Sequence, residues 1–134
     1  MFYCERHSKL SGYSVSFHRN GKEGPVVASG IRKLGTDTIT FPDHTQVVME
    51  AKAFSSKSSF QFCNKEYNWK DTFNSFKLRT ESKDIVAQFK RRFWSLRKDG
   101  EMEIYDAAED LIDVIIITFI MYLYRRMEVG GYGH

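Results

Sequence analysis

The chain has 134 residues, of which 42% are hydrophobic and 15% aromatic, enough to fill one packed domain and too many for a disordered or low-complexity chain. Its formal charge of +3 permits contact with an anionic surface but does not by itself argue for nucleic acid. Two cysteines, Cys4 and Cys63, are too few for a disulfide framework and read as buried free thiols, with a single bridge between them as the alternative.

The elements follow in chain order. The first ten residues, MFYCERHSKL, contain no apolar run of the secretory kind, and no Asn-X-Ser/Thr sequon occurs. A cytoplasmic location, with peripheral membrane contact, is the expectation. Phe2 to Arg6 is a first strand. Tyr13, Val15 and Phe17 alternate with Ser14, Ser16 and His18, the period of a half-buried strand. Asn20-Gly21 marks a turn, and Pro25 to Ile31 returns from it. Asp37 to Phe41 and Gln46 to Ala53 are further strands, the latter with Val47, Met49 and Ala51 on one face. Ser55 to Ser59 reads as a loop. Phe60 and Phe62 resume the alternation, Asn64 to Glu66 turns the chain, and Tyr67 and Trp69 face together across Asn68.

Phe76 with Leu78, Ile85 to Phe93, and Glu101 to Tyr105 continue the pattern, with an Asp99-Gly100 turn before the last. About nine strands at roughly 10-residue spacing point to a barrel or sandwich.

The end of the chain differs. Leu111 to Tyr124 reads LIDVIIITFIMYLY, apolar on every face. Such a helix must be wrapped by protein or lipid. The stretch is short for a bilayer, which needs about 20 residues, and Asp113 inside it would be costly in lipid. Asp106 is placed to cap a helix over Ala107 to Arg126, with Glu109 three residues on. Glu109 and Asp110 suit its positive end, and Arg125 and Arg126 its negative end. The β-branched run makes a buried strand over Val114 to Tyr122 the competing reading. The architecture expected is mainly β with one helix: an antiparallel β-barrel of about nine or more strands around a buried hydrophobic C-terminal helix. It would span residues 1–129, with 130–134 as a flexible tail.

Four segments carry a resemblance: Tyr67-Asn68-Trp69-Lys70; Phe76-Lys77-Leu78; Ile85-Val86-Ala87-Gln88-Phe89; and Leu111-Ile112-Asp113 through Val114-Ile115-Ile116-Ile117-Thr118-Phe119. Their order and spacing resemble the tubby C-terminal-like superfamily, which includes tubby-like proteins, phospholipid scramblases and plant LURP-one-related proteins. The nearest likeness is to a small fungal branch of unknown function. The resemblance implies a closed barrel threaded by the helix and no established enzymatic activity. Tubby-like members bind phosphoinositides through basic residues outside the barrel, and scramblase-like members are associated with membranes. No tubby phosphoinositide motif maps here residue by residue, so that site is not carried over.

The residues themselves offer one candidate site. Lys90, Arg91, Arg92, Arg97 and Lys98 form the densest basic cluster, with Phe93 and Trp94 inside it. Cations attract phosphate, and an indole sits well at a lipid interface. A solvated connection with ordinary surface charges is the plain alternative. His7, His18, His44 and His134 show no metal-ligand spacing, and no Gly-rich phosphate loop occurs. Tyr67 and Trp69 read as core aromatics.

The expected function is therefore a non-catalytic binding module, without cofactor or metal, for an anionic phospholipid headgroup or an acidic protein partner, and without nucleic acid. The alternatives are a structural, self-associating protein, and a small enzyme with a pocket at the barrel mouth.

Overall fold

The computed structural model describes residues 2–9, 12–52, 56–72, 75–91, 100–105 and 109–130. Among the described residues ten strands precede one helix. The expected class holds: mainly antiparallel β with a single C-terminal helix. The chain divides into two compact units, Met1–Glu50 and Ala51–His134.

The first unit is an antiparallel meander of β1 (Phe2–Lys9), β2 (Gly12–Arg19), β3 (Val26–Lys33), β4 (Thr36–Thr40) and β5 (Gln46–Ala51). Alternation decides its faces: Val15, Phe17, Ala28, Ile39, Val47 and Met49 are buried, while Ile31 and Val48 point outward. The β2–β3 connection takes the left-handed conformation at Asn20 and Gly21, as the Asn-Gly signal requires. Gly24 closes that loop. A Cβ there would lie 1.7 Å from the Arg19 carbonyl oxygen, so no other residue fits. Arg32 and Asp37 lie opposite each other across the β3–β4 hairpin. Both are buried, and they form a two-pronged ion pair, Nε to Oδ1 and Nη2 to Oδ2.

The second unit continues with β6 (Lys57–Phe62), β7 (Lys65–Asp71), β8 (Ser75–Thr80), β9 (Ile85–Arg91) and β10 (Gly100–Ile104), each antiparallel to the next. Two expectations are corrected here. Ser58 and Ser59 are not loop residues; they lie buried within β6. Serine-rich composition suggested a loop, but ladder pairing with Trp69 and Asn68 overrides local preference. The β6–β7 turn is Cys63-Asn64, not Asn64 to Glu66. Both residues have positive φ (52° and 63°), as a tight two-residue hairpin demands.

The helix α1 (Glu109–Gly130) includes all of Val114–Tyr122, which sets aside the strand reading. It runs four residues beyond the expected end at Arg126, and the expected start at Ala107 lies outside the described residues. Asp106, its expected cap, lies outside the described residues. Val114, Ile115, Ile117, Thr118, Phe119, Met121 and Tyr122 are buried, and Ile112, Ile116, Ile120 and Leu123 form a half-buried line. Burial offsets the poor helix propensity of the β-branched residues. Among the described residues no helix is long and apolar enough to cross a membrane.

An aromatic cluster fixes α1 against β7, β8 and β9. Phe119 packs on Trp69, Phe76 and Phe89 with ring centroids 5.1, 5.7 and 4.7 Å away. Tyr122 meets Trp69 and Phe76. The polar atoms in this core are matched. Trp69 Nε1–H donates to Thr118 Oγ1 at 2.9 Å, and the Thr118 hydroxyl donates back to Val114 O at 2.7 Å. Tyr122 OH donates to Ser56 O at 2.6 Å. Tyr67 and Trp69 are thus core side chains, as their strand spacing suggested.

Candidate anion-binding site

Of the five basic residues in the sequence cluster, the structure places the side chain of Lys90. It stands exposed on β9, with Nζ 3.1 Å from Glu103 Oε1 on β10. The Lys90 hydrogen bond and charge, helped by hydrogen bonds from Tyr105 and Gln88, hold the Glu103 carboxyl below its ordinary range. Tyr105 OH donates to Glu103 Oε2 at 3.3 Å, and Gln88 Nε2 donates to Tyr105 OH at 3.0 Å. Lys90 therefore sits in a small polar network with a carboxylate partner. Arg91 ends β9, opposite Gly100. Arg92, Arg97 and Lys98, with Phe93 and Trp94, lie outside the described residues.

Strand register brings together cations that are far apart in sequence. Lys57 lies opposite Lys70, Lys70 opposite Lys77, Lys77 opposite Gln88, and Gln88 opposite Glu103. Directly opposed residues of antiparallel strands share a face. The other face of these strands carries Trp69, Phe76, Leu78 and Ala87, all buried. The three lysines thus form an outward row across β6, β7 and β8. Arg79 occupies the adjacent row on one side, opposite Asn68, and Lys90 the adjacent row on the other, opposite Ser75. Three acidic positions share this face by register, Glu66 opposite Gln61, Glu103 at the end of the lysine row and Glu101 opposite Lys90. Among the described residues neither Lys70 nor Lys77 has an ion-pair partner.

Sequence reasoning passed over these lysines because they are dispersed. The available signal was period two: each alternates with a core residue, Lys57 with Ser58, Lys70 with Trp69, Lys77 with Phe76 and Leu78. Without register, those positions could not be aligned into one row.

Other expected features change. Arg126 does not compensate the helix end. The helix continues to Gly130, and Arg126 Nη2 reaches Asp71 Oδ2 on β7 at 3.4 Å. Both cysteines are free, but Cys63 is exposed on its hairpin turn rather than buried; Cys4 is half-buried, and burial pushes its thiol pKa up. Among the described residues no three His, Cys, Asp or Glu side chains converge to hold a metal ion. Among the described residues two open hollows of about 290 and 300 Å³ occur, one beside Phe41, Pro42 and His44, the other between the β6–β7 and β8–β9 turns. Neither borders the lysine row.

Fold and site together define a mainly antiparallel β protein with a C-terminal helix packed on β7, β8 and β9 and a cationic sheet face. The chain belongs to the family of unknown function DUF6593, whose model matches residues 5–128. Neither the curated proteins nor the solved structures contain a match.

Proposed function

We propose that this protein is a non-catalytic, tubby-like binding module that docks on anionic membrane lipid of the phosphoinositide kind. Closure of its strands into a tubby-like barrel around α1 belongs to the same proposal. The observation that carries it is the exposure of Lys90 at the end of β9, where the chain enters a stretch with five cations in nine residues, Lys90 to Lys98. Each basic residue near an anionic bilayer contributes on the order of 1 kcal/mol, and Phe93 and Trp94 supply the interfacial aromatics. Lys90 already has Glu103 as a partner, so Arg91 and Arg92 carry more of the expected attraction.

The test is cosedimentation with phosphatidylcholine vesicles with and without a phosphoinositide. The wild-type protein is expected to bind the charged vesicles, and R91E/R92E to lose about two orders of magnitude in affinity from the four-charge change, at about 1 kcal/mol per charge with partial screening by salt. Equal binding by both forms removes this segment from the function.

A further inference from the structure

We propose that the outward lysine row of β6, β7 and β8 is a second contact for an anionic bilayer, made by Lys57, Lys70 and Lys77. The inference rests on the anionic-lipid reading above but on none of its residues.

The first argument is the cost of the arrangement. Like charges directly opposite on neighbouring strands are destabilising, yet Lys70 faces Lys57 on one side and Lys77 on the other. No described acid neutralises Lys70 or Lys77. Strands usually alternate or pair charges on a solvated face. Departures from that local rule concentrate at functional sites.

The second argument is shape. The row runs across three strands, about 10 Å at the usual inter-strand spacing, and neither of the two described hollows is lined by its lysines. A single small anion on a flat, wet surface gains only about 1 kcal/mol from one cation at 4 Å. A charged bilayer is itself a plane and attracts every lysine in the row at once, so the gains add. The row thus fits a lipid surface better than a free phosphate. A nucleic acid strand would want stacking aromatics, but the described aromatics of these strands lie on the opposite, buried face, Phe60, Tyr67, Trp69 and Phe76 among them.

The experiment compares wild type, K70Q/K77Q, K70R/K77R and R91E/R92E on phosphatidylcholine vesicles with and without phosphatidylserine, and records the melting temperature of each. Removing a lysine should weaken binding about fivefold, and the K70Q/K77Q pair about 25-fold. Its melting temperature should be equal to or above that of wild type, because a like-charge contact is relieved. K70R/K77R should bind as wild type does. Wild-type affinity in K70Q/K77Q while R91E/R92E loses binding overturns the inference and leaves the proposed function standing. The reverse pattern supports the lysine row and removes the Arg91 segment. Loss of binding in K70R/K77R also overturns the inference, since charge is then not what the membrane reads. Absence of charge-dependent binding by wild type overturns both readings and turns attention to an acidic protein partner.

Discussion

Replacing Trp69 by alanine is expected to destabilise the protein by about 3–5 kcal/mol, the range for emptying a buried aromatic site. Trp69 is fully buried on β7 and touches the helix through Phe119 and Tyr122. Its loss leaves a cavity at the strand–helix junction and takes the indole donor from Thr118 Oγ1. The threonine hydroxyl would still donate to Val114 O, but its buried oxygen would lack the incoming hydrogen bond. Trp69→Phe separates the two effects. It keeps most of the ring volume and removes the N–H, so about 1–3 kcal/mol is expected from the hydrogen bond and the smaller ring. Urea unfolding followed by circular dichroism gives both numbers. A Trp69→Ala cost below about 1 kcal/mol would mean that α1 does not pack on β7 as described.

The second large effect is expected at the buried ion pair of the first unit. Asp37→Ala should cost about 3–5 kcal/mol, because it leaves the Arg32 guanidinium buried without its carboxylate. The double replacement R32M/D37L should recover most of that loss, since two apolar side chains of similar size remove the uncompensated charge. The same unfolding measurement decides it. If the double variant is no more stable than Asp37→Ala, the pair is supplying more than charge balance to the β3–β4 hairpin.

Much of the fold was legible because alternation is a direct consequence of strand geometry. Val15 with Phe17, Val47 with Met49, and Tyr67 with Trp69 could be assigned to a buried face from period two alone. The helix was legible from its terminal position and charged flanks, against a β-branched composition that favoured a strand. Its packing settles the conflict, because Thr118 satisfies both its own backbone and Trp69 49 residues away.

What was not legible depended on partners distant in sequence or on register. Arg126 looked like a helix-end cation because its true partner, Asp71, is 55 residues earlier. Ser58 and Ser59 looked like loop residues because composition does not report ladder pairing. Arg32 and Asp37 drew no notice in the sequence, because only the Leu34-Gly35 turn sets them opposite each other. The candidate site divides in the same way. The contiguous cluster from Lys90 to Lys98 is visible as a run, whereas Lys57, Lys70 and Lys77 become neighbours only through three ladders.

Native-state amide hydrogen exchange of Val114 to Tyr122, in buffer without lipid, tests most directly whether the oily C-terminal segment is the protein's own interior. These amides should exchange only through global unfolding, with the free energy given by urea. Exchange at the rate of an open helix, or protection that appears only when vesicles are added, would show that the segment seeks lipid rather than the strands that carry Trp69, Phe76 and Phe89.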